Sequence, residues 1–257
     1  MYWMKSVVAL GATAVTSGAA ANVKGRALTY SIDKMEFEGY LVEGGKKGSV
    51  LVVHDWMGIT DKTRAKADAV AVLGYTVFAV DVFGKSVRPK TPEEARANSG
   101  QYYKDRSMLR ERLKAGLAQL VKIAPSKNIG AIGYCFGGTS VVELARSGAD
   151  LRAVVSFHGG LDSPAPADGK NIKARVLALH GADDPFVSAA NLTGFEDEMR
   201  ANKIDWQLVK YGGAVHSFTD PTAGTDNSKG AAYNAAVDQR SWQAMKNFLE
   251  ESFSQPR

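Results

Sequence analysis

Cys135, the single cysteine of the chain, sits in the run AIGYCFGGTS, between an apolar stretch that reads as a strand and a small-residue stretch that reads as a helix. Gly133 and Gly137 flank it two residues away on either side. That is the G-x-nucleophile-x-G spacing of a nucleophile elbow, whose sharp turn has no room for side chains at those two places. A helix starting behind the thiol offers free N–H groups and the positive end of its dipole, which favour a thiolate and a developing oxyanion. Gly133 to Gly138 also has the glycine spacing of a phosphate loop, but no lysine follows it. Gly130, Gly133 and Gly137 do not fit a dinucleotide turn. A buried structural thiol is the other alternative.

A thiol with an ordinary pKa of about 8.5 is mostly protonated at neutral pH, so a nucleophile needs a base, and the base needs an acid to orient it. In this fold class the order along the chain is nucleophile, acid, histidine. Of the four histidines, His54, His158 and His180 each end an apolar run and read as hydrogen-bonded strand-end imidazoles. His216 lies in the glycine-rich loop GGAVHSF after the last expected strand, where the base belongs. The acid should follow the preceding strand, and HGADDPFV offers adjacent aspartates, Asp183 and Asp184. Asp184 fits the G-x-x-D-x-x-V spacing and is preferred. The expected triad is thus Cys135 as nucleophile, His216 as base and Asp184 as its orienter. The oxyanion would be met by the backbone N–H of Phe136 and by that of Trp56, in the loop HDWMG after an early strand.

Such groups are brought together by alternating strands and helices. Short apolar runs separated by helical periods predict βαβ units, and hence an α/β fold with a mainly parallel sheet flanked by helices. Strands are expected at Phe37 to Val42, Ser49 to Val53, Tyr75 to Val80, Asn128 to Ile132, Leu151 to Phe157, Arg175 to Leu179 and Trp206 to Val209. Helices are expected from Thr60 or Asp61 to about Leu73, where Gly74 ends the first, and then from about Tyr102 to Ile123. Three more are expected at Gly137 to Ser147, Ser188 to Asn202 and Tyr233 to Phe253. Val82 to Gly100 reads as an excursion above the sheet.

The 257 residues are 45% hydrophobic, enough for one large core, and no linker divides them. Residues 22–257 are therefore expected to form a single domain. The net charge of +5, from 32 basic and 27 acidic residues, is scattered along the chain, and no basic stripe with interleaved aromatics points to nucleic acid. Lys5, the apolar small-residue run after it and Ala19-Ala20-Ala21 outline a secretory signal peptide over residues 1–21. Export to the periplasm or medium is expected, with cytoplasmic residence the alternative, and the run is too short and interrupted to anchor in a membrane. No histidine pair has zinc spacing and one cysteine cannot build a thiolate site, so neither metal nor cofactor is expected. Nothing in the sequence fixes the oligomeric state.

VVHDWMG, GYCFGG, SFHGG, LHGADDPFV and GAVHSF, taken in order, resemble the dienelactone hydrolase family of the α/β-hydrolase superfamily over about residues 36 to 253. The resemblance implies an α/β-hydrolase fold and a carboxymethylenebutenolidase-like ester or lactone hydrolase. It also implies a Cys-Asp-His triad at Cys135, Asp184 and His216, an acyl-cysteine intermediate and a small-molecule substrate. Family members carry a glutamate that controls the resting thiol, and Asp55 stands at the matching position, one methylene shorter. Two family arginines that hold a substrate carboxylate correspond to Lys85 and Asp220. A lysine attracts a carboxylate without the bidentate fork, and an aspartate repels one. General carboxylester or thioester hydrolysis is the alternative, with Trp56, Phe83 and Phe136 lining an apolar pocket. A non-catalytic small-molecule binder is the rival from another class.

Overall fold

A computed structural model describes residues 23–255; the expected signal peptide, residues 1–21, lies outside the described residues. Eight strands form one sheet in the order β1-β2-β4-β3-β5-β6-β7-β8. They are β1 (Arg26–Ile32), β2 (Met35–Glu43), β3 (Ser49–Val53), β4 (Thr76–Val80), β5 (Ile129–Tyr134), β6 (Ala153–Phe157), β7 (Arg175–Gly181) and β8 (Trp206–Tyr211). From β4 to β8 every neighbouring pair is parallel, while β1 with β2 and β2 with β4 are antiparallel. The expected mainly parallel α/β architecture is what the chain adopts.

The central strands β3 to β7 read as near-continuous apolar runs because both faces of the sheet are covered. Alternation along β3 sorts its residues into two cores. Val50 and Val52 pack with Ala67 and Val70 of α1 (Asp61–Val72) and with Met245 and Leu249 of α6 (Ala235–Ser254). Leu51 and Val53 face the other way, against α3 (Arg106–Ile123), α4 (Phe136–Arg146) and α5 (Ala189–Ala201). α4 is buried along its whole length. No helix among the described residues is long and apolar enough to cross a membrane.

Two elements differ from expectation. β1 was not anticipated, because only Tyr30 among its residues is buried, so this edge strand carries no apolar run to betray it. The excursion after β4 also contains a helix, α2 (Pro92–Lys104), and the long helix begins only at Arg106. Thr91 caps α2 by accepting the Glu94 N–H at 3.3 Å, with Pro92 at its first position. Thr91 and Glu94 have capping-box spacing, a start signal present in the sequence. Asp105 ends α2 and starts α3: its φ of −119° and ψ of 86° leave the helical region, and its carboxylate accepts the Met108 N–H at 2.9 Å.

Candidate active site

β5 runs into α4 through Cys135, whose φ of +54° and ψ of −116° put a non-glycine residue in a region L-residues avoid. Such backbone costs about 1–3 kcal/mol and persists only where its surroundings enforce it. A Cβ on Gly133 would run into the Gly137 carbonyl, and one on Gly137 into the Val53 carbonyl. Close approach of backbone, not unusual dihedrals, therefore explains the two glycines. The Cys135 N–H is shared between the Phe157 carbonyl at 3.0 Å and His158 Nδ1 at 3.2 Å.

Cys135 Sγ lies 3.1 Å from His216 Nε2, and His216 Nδ1 lies 2.8 Å from Asp184 Oδ2. Asp184 is held in turn by the Phe186 N–H, which donates to its Oδ1 at 2.9 Å. Its neighbour Asp183 points elsewhere, accepting the Gly213 N–H at 3.1 Å and so tying the acid loop to the histidine loop. The His216 backbone is clamped on both sides: its N–H donates to the Gly230 carbonyl, and its carbonyl accepts the Ala232 N–H. Phe186 and His158 meet the imidazole edge-on from either side, at 5.3 and 5.1 Å. Burial opposes a charge on His216, but the adjacent Cys135 sulfur and the Asp184 carboxylate outweigh it and push the imidazole up to about 10.

The other three histidines stay neutral, each held below its ordinary pKa chiefly by burial. His54 has both ring nitrogens engaged, Nδ1 with the Asp55 carbonyl at 2.6 Å and Nε2 accepting the Val82 N–H at 3.2 Å. His158, at φ +40°, accepts the Cys135 N–H at Nδ1, so its Nε2 carries the proton it gives to Thr219 Oγ1 at 2.9 Å. His180 differs from its expected role, since its buried Nδ1 has no hydrogen-bond partner among the described residues.

A cavity of about 340 Å³ opens beside Cys135, walled by Trp56, Tyr134, His158 and a set of charged side chains. As the first residue of α4, Phe136 presents a backbone N–H that the helix itself leaves without an acceptor. Trp56 lines the same space. Asp55 is in the wall too, but its carboxylate accepts the Met57 N–H at 2.8 Å and faces Lys62 at 3.9 Å, whereas the hydrogen bond of the thiol runs to His216.

Two expected substrate-binding residues are not at this cavity. The Lys85 N–H donates to the Glu36 carbonyl, which ties the excursion to β2, and its ammonium lies 3.8 and 3.9 Å from Glu36 and Glu38 beside a separate surface hollow. Phe83 is buried behind the site, stacked on Tyr102, edge-on to His54 and tilted against Phe136. The Phe136 ring is likewise in the core, so of the three aromatics expected to line a pocket only Trp56 does. Asp220 does line the cavity, together with Lys62 and Lys66, which sequence analysis missed. Their one signal was i, i+4 spacing on α1, which puts both on one helix face.

The sequence profile of the dienelactone hydrolase family matches residues 37–253. A solved structure named m3DLH is 39% identical and superposes with a TM-score of 0.85 over 90% of this chain and 99% of its own. A dienelactone hydrolase-like promiscuous phosphotriesterase from metagenomic libraries is 35% identical, with a TM-score of 0.82 over 89% of this chain and 98% of its own. Among curated proteins, a putative carboxymethylenebutenolidase of Synechocystis sp. is 25% identical over 249 residues, covering 89% of this chain and 97% of that protein.

Proposed function

The chain belongs to the dienelactone hydrolase family, whose members hydrolyse esters and lactones, and we propose that it does so through an acyl-cysteine intermediate on Cys135. The observation that carries this reading is the line from Asp184 Oδ2 through His216 to Cys135 Sγ, with steps of 2.8 and 3.1 Å. Cys135 Sγ attacks the carbonyl carbon, and the oxyanion that forms is met by the N–H groups of Phe136 and Trp56. As the carbon–oxygen bond breaks, the imidazolium of His216 gives its Nε2 proton to the departing alkoxide. Cys135 is left as a thioester. His216, now neutral, takes a proton from water as that water attacks the thioester carbonyl, and the acid leaves as the thiolate–imidazolium pair is restored. Asp184 keeps the imidazole in the required tautomer throughout.

The test is Cys135→Ala measured on 4-nitrophenyl acetate. Turnover should fall at least about a thousandfold with circular dichroism and thermal midpoint nearly unchanged, and acid-quenched wild-type protein should carry the acyl group on the Cys135 peptide. Equal turnover in the variant would end the proposal. A neutral phosphotriester belongs in the substrate panel, because a relative at 35% identity is named for that activity. Residues 1–21 are proposed to direct export; the exported protein should begin near Asn22 on N-terminal sequencing, and retention of Met1 in it would refute this.

A further inference from the structure

The cavity beside Cys135 has five charged side chains in its wall: Lys62 and Lys66 against Asp55, Asp220 and Asp238. Neither lysine is available to a ligand. Lys62 Nζ donates to Asp220 Oδ2 at 2.7 Å and to Thr222 Oγ1 at 3.4 Å, with Asp55 Oδ2 at 3.9 Å, so its three N–H bonds already face acceptors. Lys66 Nζ donates to the Thr219 carbonyl at 3.3 Å, sits 3.8 Å from Asp238 and lies 5.1 Å over the Tyr134 ring. Burial alone would raise the Asp220 carboxyl, yet Lys62 and Thr222 hold it below the usual range, so it is ionised whenever the enzyme works near neutrality. The remaining wall, with Trp56, Tyr134, Val52 and Ala65, is largely apolar.

We propose that this site selects uncharged esters and lactones over anionic ones, and that the Lys62–Asp220 ion pair enforces that selectivity. The inference rests on the hydrolase reading above and names its substrate class. An entering carboxylate would be a fourth negative charge against two cations already engaged, and could recruit Lys62 only by stripping it from Asp220 in a partly buried wall. An uncharged group meets a largely apolar surface and adds no charge to a wall whose two lysines are already paired.

The experiment compares two esters that differ in charge at a group held too far away to attack the ester itself, 4-nitrophenyl methyl terephthalate and 4-nitrophenyl hydrogen terephthalate, each kcat/KM being divided by its hydroxide rate. Wild type should prefer the neutral ester by at least about tenfold. Asp220→Asn keeps an oxygen for the Thr222 N–H but releases Lys62, and should narrow the preference at least about fivefold by raising the rate on the anion. Adding Lys62→Met should restore the original preference, since the gain runs through that ammonium. A wild-type ratio near one, or a ratio unmoved by Asp220→Asn, overturns the proposal. Alkylation of Cys135 by iodoacetate against iodoacetamide, each normalised to a free thiol, reads the same selectivity without hydrolysis, and the relative iodoacetate rate should rise in Asp220→Asn and fall in Lys62→Met. Charge-dependent alkylation without ester turnover would sink the hydrolase reading alone. Turnover with both ratios indifferent to residues 62 and 220 would sink this inference alone.

Discussion

α4 carries a polar assembly at each end, one wholly buried and one partly open to a cavity, and the two are built in opposite ways. At its C-terminal end Arg146 is wholly buried, and its guanidinium is saturated: Nε and Nη2 reach the two oxygens of Glu198 at 2.9 and 2.6 Å, and Nη1 reaches Glu143 at 2.9 Å. The Asp162 and Leu161 carbonyls accept its other two N–H bonds at 3.0 and 3.3 Å. At the N-terminal end Cys135 and His216 share one hydrogen bond, and His216 and Asp184 another. Both assemblies complement the helix dipole, a cation at its negative end and an incipient thiolate at its positive end. Arg146 cannot lose its proton and has no donor left to offer, whereas the proton between Cys135 and His216 can move and the sulfur faces a cavity. Saturation holds a fold together; a single exchangeable bond beside open space is what the proposed chemistry needs.

Exchanging the consequences at the two ends is the most direct way to break that contrast. His216→Ala should lower kcat/KM on small aryl esters by at least about a thousandfold and slow iodoacetamide alkylation of Cys135, with the urea midpoint falling less than in Arg146→Met. Arg146→Met should do the reverse. It leaves Glu198 buried without its cation, while Glu143 keeps Arg110 at 2.8 Å, and losing one partner of a buried ion pair typically costs about 3–5 kcal/mol, so the urea midpoint should fall sharply. Activity per folded molecule should stay within about twofold of wild type, as no principle of the mechanism involves that end. An Arg146→Met protein that is fully folded yet inactive would show that the two ends of α4 are not separable.

How far each feature was legible in the sequence follows from how local its cause is. The elbow at Cys135 was readable because its constraint, two glycines facing the backbone of neighbouring turns, spans five residues. Asp184 and His216 were findable because the order of strands puts the loops after β7 and β8 at one end of the sheet. β1 was hidden by its exposed edge, and the break between α2 and α3 by a single aspartate serving as both stop and start. Lys85 lies away from the cavity because the excursion folds back along β2, held by the Lys85 N–H on the Glu36 carbonyl, a pairing with no trace in local pattern. Lys62 gained its meaning from Asp220, 158 residues away. Contacts made through tertiary structure leave chemistry-bearing residues looking like ordinary surface charges.

A pH titration sharpens the contrast through its exchangeable member. The folded value of His216, about 10, lies above the 6.5 of an unperturbed histidine. A raised value means that the folded state binds this proton more tightly than the unfolded state, so the contribution to stability is complete below about pH 6.5 and is lost as pH rises through about 10. Cys135→Ala removes the sulfur charge, the largest of the influences that raise the value. The imidazole resonances of His216 should therefore titrate near pH 10 in wild type and distinctly lower in Cys135→Ala, and the alkaline loss of stability should move down with them. An identical midpoint in both proteins would mean that no thiolate–imidazolium pair forms at rest.

The smallest effect tests a residue that lies between the two kinds of assembly. His158 touches Cys135, but through the backbone N–H, and it is fixed from behind by Thr219, whose hydroxyl accepts from Nε2 at 2.9 Å. Both groups are buried, and the bond decides the tautomer: with Nε2 protonated, Nδ1 is free to accept from Cys135. Thr219→Val is nearly isosteric and removes only that acceptor, so the expected destabilisation is about 1 kcal/mol, rising toward 3 if the Nε2–H is left unsatisfied. If His158 only supports the elbow, kcat on a small aryl ester should fall no more than about fivefold, with the pH profile of Cys135 alkylation unmoved. If His158 instead exchanges protons during turnover, the alternative tautomer would lose the Cys135 N–H contact, and both kcat and the alkylation profile should shift together. The joint measurement therefore decides whether the second imidazole belongs with the saturated end of α4 or with the reactive one.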